Sequence, residues 1–213
     1  MGNRKLILVP MKDPKRSKSR LRGCLSELDR ELLVLKLFTQ TIARLDEALK
    51  GLAVEFEVRV VTESRKIDDI CISSNIKTIN SDDRKSLSQH LDYAARQVAF
   101  LNFSAICIVP ADLADPTVKD LQRLLSYPIS NGEVVICPAN DLGTNALFVS
   151  PPNAFNFAYG KRSFLKHVKL AEAANVKAVI LPLESIKCDV DTSEDLEDLL
   201  LKRPAFLKKV GMN

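Results

Sequence analysis

The chain has no tryptophan, three tyrosines, two histidines and only seven glycines among 213 residues. Without tryptophan, and with no aromatics interleaved among its basic residues, it lacks the stacking platform of a single-strand nucleic-acid binder. With so few glycines it contains neither a GxGxxG turn nor a GxxxxGK[ST] phosphate loop. Its five cysteines (Cys24, Cys71, Cys107, Cys137 and Cys188) are odd in number and include no CxxC pair. That argues against a disulfide framework or a cysteine-zinc site and for small buried apolar side chains in a reducing cytoplasm. No apolar run approaches the roughly 18 residues of a membrane span. Residues 1–22 hold a six-residue apolar stretch followed by lysines and arginines, which is not the pattern of a signal peptide, so a cytoplasmic location is expected.

What is present is ordinary globular composition. Apolar residues make up 46% of the chain, enough to bury a core, and the length suits one domain covering 1–213. The net charge of +4 is too mild to mark a nucleic-acid binder, but it is unevenly placed. Residues 4–22 carry eight basic side chains and one acid, whereas residues 189–198 carry six acids and no base. A basic pole and an acidic pole in one domain suit an anionic ligand and a cation.

Hydrophobic patterning alternates strand and helix. Continuous apolar runs at 5–9 and 105–109 suit parallel strands covered on both faces, with further strands at 56–62, 76–79, 133–137, 146–149 and 178–181. Apolar steps of three and four predict a helix over 26–50, with Ser26 and Asp29 capping it and Gly51 ending it. Further helices are expected at 85–101, at 116–126 with Pro116 in the first turn, at 164–174, and at 193–201 capped by Thr192 or Ser193. The fold class is therefore α/β: one mostly parallel, Rossmann-like sheet with helices on both faces and a local antiparallel insertion near 133–149. Such sheets bind ligands beyond the carboxyl ends of their strands, which puts the loops after Val9, Val109 and Cys137 on one rim.

Five constellations carry chemistry. Lys12, Lys18 and Arg20 follow the first strand, where they clamp a polyphosphate or form a solvated basic loop. Asp112 ends a buried strand, as a metal ligand does; a turn cap is the plainer alternative. Asp189 and Asp191 precede the last helix and in extended chain point to the same side, where two carboxylates repel unless a cation sits between them. Gly143-Thr144-Asn145-Ala146-Leu147 is either a plain turn or a place where backbone amides approach an anion. Gly160, Lys161, Arg162 and Ser163 open a helix, and helix starts bind phosphate; His167, one turn on, is read as a packed or capping residue. Together they suit metal-assisted nucleotidyl transfer to a phosphorylated acceptor. An ionised phosphate is already a nucleophile, so a chain with only His90 and His167 needs no histidine base.

These motifs resemble the 2-phospho-L-lactate guanylyltransferase family of coenzyme F-420 biosynthesis. The residues that carry the resemblance are Lys12, Lys18-Ser19-Arg20-Leu21, Pro110-Ala111-Asp112-Leu113, Gly143–Leu147, Gly160 with Ser163-Phe164 and His167, and Asp189-Val190-Asp191-Thr192 with Asp195-Leu196. Their order spans nearly the whole chain. The resemblance implies a nucleotidyltransferase fold of the nucleotide-diphospho-sugar transferase type, related to the molybdenum-cofactor guanylyltransferases. It implies GTP and Mg²⁺, and an acceptor that is a small phosphorylated carboxylic acid: 2-phospho-L-lactate, phosphoenolpyruvate or 3-phosphoglycerate. Carried over by position, Asp112, Asp189 and Asp191 hold metal, and Lys12, Lys18 and Arg20 face the GTP phosphates. Thr144, Gly160 and Ser163 hold the acceptor phosphate, and Lys18, Arg20 and Asp112 are the catalytic residues. No nucleic-acid or membrane partner is implied, and a homodimer is compatible.

Three departures from the family pattern stand out. Ser86–Leu91 replaces a segment that carries Asn as a nucleotide contact in relatives. Ala114 replaces the Pro of a D-L-P run. Lys161 and Arg162 replace small residues. Two other readings stay open: a nucleotidyltransferase for another acceptor, such as a molybdopterin or sugar phosphate, and a catalytically silent GTP-binding relative.

Overall fold

Strands that are apolar on both faces need cover on both faces, and the computed structural model supplies it. The structure describes residues 4–80 and 86–207. In chain order these form β1 (Lys5–Pro10), two 3₁₀ turns (Pro14–Arg16 and Ser19–Gly23), α1 (Glu27–Leu49), β2 (Phe56–Thr62), α2 (Arg65–Ser73) and β3 (Lys77–Asn80). There follow α3 (Leu87–Ala99), β4 (Ala105–Ile108), α4 (Val118–Leu125), β5 (Glu133–Pro138) and β6 (Thr144–Ser150). The described chain closes with α5 (Ser163–Ala173), β7 (Lys177–Ile180), a 3₁₀ turn (Glu184–Ile186) and α6 (Ser193–Lys202).

The seven strands make one sheet in the order β3-β2-β1-β4-β6-β5-β7. Only β6 runs against its neighbours: Ile108 pairs with Leu147 on one side and Ile136 pairs with the same Leu147 on the other. The expected antiparallel insertion is thus a single reversed strand in a mostly parallel α/β sheet. Alternation along β1 divides the core. Ile7 and Val9 face α1, α2 and α4; Leu6 and Leu8 face α3 and α5. A third apolar cluster lies outside α1, where Leu33 and Leu37 meet Leu196 and Leu199 of α6 together with Leu21 and Val190.

Local signals account for most element ends. Ser26 accepts the Asp29 amide at 3.1 Å to cap α1, and Gly51 leaves the helix at φ +85°. Thr192 and Asp195 form a reciprocal capping box on α6. Three expectations need correction. Helix α2 was not foreseen: it is short, and only Ile67 and Cys71 of it are fully buried. Pro116 stands before the cap of α4 and not in its first turn, the cap being Thr117, which accepts the Asp120 amide. Helix α3 begins at Leu87, capped by Ser86 with Gln89, while Lys85, the expected first residue, lies outside the described residues. Cys71, Cys107 and Cys137 are buried as expected; Cys24 and Cys188 are exposed, and all five are free thiols.

The reversal of β6 matters for position. The parallel strands β1, β2 and β4 deliver their carboxyl ends to one rim. Because β6 runs the other way, its first residue, Thr144, reaches that same rim.

Candidate active site

At that rim lies a cleft of about 1010 Å³. The residues expected to bind metal, GTP or acceptor all line it: Lys12, Lys18 and Arg20; Asp112; Thr144; Gly160 and Ser163; Asp189 and Asp191; His167 does not.

The acidic end is built by a two-strand contact outside the sheet. Leu113 bridges Asp189 in antiparallel register, with Val190 N–H donating to Asp112 C=O at 3.2 Å and Ala114 N–H donating to Cys188 C=O at 2.9 Å. In this extended stretch Val190 points into the apolar cluster under α1 and is fully buried. Asp189 and Asp191 therefore share the opposite side. Their carboxylates and that of Asp112 offer oxygens that all lie within 4.8 Å of one another.

Three carboxylates this close need a cation, and Lys18 supplies one. Its Nζ donates to Asp112 Oδ2 at 2.5 Å and to Asp191 Oδ1 at 2.6 Å, with its side chain only 4% exposed. Arg20 stands further off, 3.8 Å from Asp191 Oδ2. Burial works against the charge on Lys18, but Asp112 and then Asp191 overcome it and hold the ammonium well above the ordinary lysine range. At Asp189 burial, then the charges of Asp112 and Asp191, outweigh the pull of Lys18 and push the carboxyl up to about 6. The donor set is all hard carboxylate oxygen, which fits Mg²⁺, Mn²⁺ or Ca²⁺ better than a soft metal. The Lys18 ammonium occupies the space between two of the three.

The basic loop is anchored from beneath. Leu21 is fully buried against α1 and α6, so Lys18, with a left-handed backbone (φ 52°), is turned over the acidic segment. Lys12 and Arg20 remain exposed at the mouth.

The other end of the cleft is built by β6 and the start of α5. Asn145 is buried and donates to Ile186 C=O at 2.7 Å, which steadies the chain leading to Asp189. Of the two readings open for Gly143, the structure favours the plain turn, its amide being committed within the chain. That amide donates to Asp141 Oδ1 at 2.7 Å, and a Cβ at Gly143 would meet that same oxygen. The first amides of α5 are likewise committed: Ser163 N–H to Gly160 C=O at 3.0 Å and Phe164 N–H to Leu142 C=O at 3.1 Å. What this end presents is side chains, Thr144 and the buried Ser163, with Gly160, Lys161 and Arg162 around them.

Leu87 and His90 of the 86–91 segment and Tyr159 also line the cleft, as does Glu63, which the sequence motifs do not include. Glu63 accepts from Asp13 N–H at 3.2 Å and faces Arg16 at 3.5 Å. Its signal was available: a carboxylate just past a buried strand, the same kind of place that Asp112 holds.

A family model described as "Guanylyl transferase CofC like" matches residues 5–213. The chain belongs to the CofC-like guanylyl transferase family. It is 35% identical over 195 residues to a 3-phospho-D-glycerate guanylyltransferase of Colwellia psychrerythraea, covering 92% of this chain and 90% of that one. It is 28% identical over 215 residues to a 2-phospho-L-lactate guanylyltransferase of Methanocaldococcus vulcanius, covering 97% and 91%. A solved structure from Desulfovibrio desulfuricans, described as a nucleotide-diphospho-sugar transferase, matches the fold with TM-score 0.71 at 16% identity. That match covers 99% of this chain and 90% of the other. Among the described residues no helix is long and apolar enough to cross a membrane.

Membership of the CofC-like family gives the departures a physical reading. With Ala in place of Pro, position 114 keeps an N–H, and that N–H makes the 2.9 Å bond to Cys188 which helps clamp Asp112 beside Asp189. Ser88, in the segment without the expected Asn, accepts the Tyr159 amide at 2.8 Å and so ties α3 to the loop before α5. Leu87 and His90 are the residues of that segment that line the cleft.

Two outcomes follow from these charges. Lys18→Met leaves the three carboxylates opposed only by the more distant, exposed Arg20 among the described residues. Because Asp112 is 37% and Asp191 45% exposed, the expected loss is about 1–3 kcal/mol, less than for a fully buried pair. Denaturant unfolding in metal-free buffer reads it, and an unchanged midpoint would show that water already neutralises the cluster. His167, fully buried, is pushed down to about 4 by burial and then by the charge of Lys166. The unfolded chain takes up this proton below about pH 6.5, and the folded chain only near pH 4. Stability present at neutral pH is therefore lost on acidification through that window, by an amount on the order of 2–3 kcal/mol. His167→Gln should flatten the slope of stability against pH between those values; an unaltered slope would place the titration elsewhere.

Proposed function

We propose that the protein joins GMP from GTP to a small phosphorylated carboxylic acid and releases pyrophosphate. The observation that carries the reading is one cleft with three clustered carboxylates, two of them bonded to Lys18, at one end and a hydroxyl-lined, basic mouth at the other, in a chain of the CofC-like family. We take 1–213 as one nucleotidyltransferase domain acting in the cytoplasm, in a step of coenzyme F-420 biosynthesis.

In this reading Lys12, Lys18 and Arg20 neutralise the GTP triphosphate, Arg20 through its fork and the lysines as point charges. Asp112, Asp189 and Asp191 hold Mg²⁺, which when bound supplies charge neutralisation at the reacting phosphates. The Thr144 hydroxyl, the Gly160 backbone and Ser163 hold the acceptor phosphate. Lys161 and Arg162, at the same mouth, suit the acceptor's carboxylate. An acceptor phosphate oxygen attacks the α-phosphorus in line. One P–O bond forms there, the bond from that phosphorus to the oxygen bridging to the β-phosphate breaks, and pyrophosphate leaves with that oxygen. The nucleophile is already ionised at neutral pH, so positioning and charge account for the rate and no protein base takes part.

The acceptor is drawn from three related acids. The resemblance favours 2-phospho-L-lactate or phosphoenolpyruvate, and the relative at 35% identity adds weight to 3-phospho-D-glycerate. Purified protein with Mg²⁺ should release pyrophosphate from GTP, and not from ATP or CTP, in the presence of one of these acids. Folded, GTP-binding protein that releases none with any of them would overturn the reading in favour of a silent relative. Asp112→Asn should lower the rate at saturating Mg²⁺ by at least about a hundredfold. Retention of most activity would remove Asp112 from the metal set.

A further inference from the structure

His167 takes no part in the chemistry above, yet it is fully enclosed beside the cleft, with no exposed surface. It lies one turn into α5, with Tyr159 edge-on at 4.9 Å between ring centroids and Phe155 and Phe157 at 6.3 and 6.4 Å. Both its nitrogens are engaged. Ala158 N–H donates to Nε2 at 3.0 Å, and Nδ1 lies 2.9 Å from Thr144 Oγ1.

These two contacts settle the tautomer. A backbone N–H can only donate, so Nε2 is the bare nitrogen, and a neutral imidazole then carries its proton on Nδ1. Nδ1–H must donate to Thr144, whose oxygen is the acceptor in that bond. A hydroxyl that accepts from one side keeps its own proton for another partner. Thr144 lines the cleft, so its hydroxyl proton is available to a group that enters there. Protonating the ring would set an Nε2–H against the Ala158 N–H, which agrees with the downward push that burial and Lys166 exert on this histidine.

We propose that His167 is a positioning residue for the acceptor: it holds the Thr144 hydroxyl as a fixed donor to an acceptor phosphate oxygen. It does so from a rigid anchor, since the Ala158 amide orients the ring and the aromatic side chains enclose it. The inference rests on the reading of Thr144 as an acceptor-phosphate contact, and its test separates the two.

Gln at 167 places a polar atom near Nε2, so it keeps the Ala158 side and loses the donor to Thr144. Asn places an amide near Nδ1 and keeps that donor. His167→Gln should raise the KM for the acceptor acid about tenfold with the KM for GTP unchanged, the loss expected of one hydrogen bond to a charged group. His167→Asn should stay within about threefold of wild type. In a Thr144→Val background His167→Gln should add nothing further to the acceptor KM, because the hydroxyl it orients is gone. Thermal unfolding confirms that each variant folds. If Thr144→Val itself leaves the acceptor KM unchanged, the acceptor-site reading fails. If Thr144→Val raises it but His167→Gln is additive, or raises the GTP KM equally, the positioning role alone is overturned.

Discussion

The bond pair from Lys18 to Asp112 and Asp191 joins three segments that are far apart in the chain. The ammonium sits 2.5 and 2.6 Å from carboxylates that follow β4 and precede α6, while Lys18 itself follows β1. Without an internal cation the Asp112–Asp189–Asp191 cluster would repel itself apart. With it, the carboxylates after β4 and before α6 are held together at the cleft.

Holding charge in that geometry requires an apolar platform, and the platform is visible in the burial. Leu21 carries the basic loop, Val190 carries the acidic strand, and both insert into the same cluster with Leu33, Leu37, Leu196 and Leu199. Each charged segment thus alternates between an apolar anchor and a polar face. The backbone bridge between Leu113 and Asp189 fixes their relative register, and Asn145 braces the turn before it from the sheet side. The polar face gains its precision from packing beneath it, which costs little to keep ordered once the core is formed.

Much of this was legible in the residues. The alternation of apolar runs and three-four steps announced the α/β layering, and Ser26, Gly51 and Thr192 marked helix ends because caps are local chemistry. The period of two in extended chain places Asp189 and Asp191 on one side independently of tertiary contacts. Helix α2 is only nine residues long, so its apolar step at Ile67, Ile70 and Cys71 completes a single repeat and does not stand out. The amides of Gly143 and of the first turn of α5 looked available in sequence. Their acceptors, the Asp141 side chain and the carbonyls of Gly160 and Leu142, are set by loop conformation that composition does not encode.

By itself the sequence determined the fold class, the charge poles and the identity of the residues that meet at the rim. These follow from periodicity and residue type, which are properties of short segments. Only the tertiary structure decided which cation faces which carboxylate, which amides are already satisfied, and which nitrogen of His167 bears the proton. The reason is physical: a hydrogen bond or ion pair depends on distances of a few tenths of an ångström between groups up to 173 positions apart, and those distances exist only after the sheet and its two helical layers have closed.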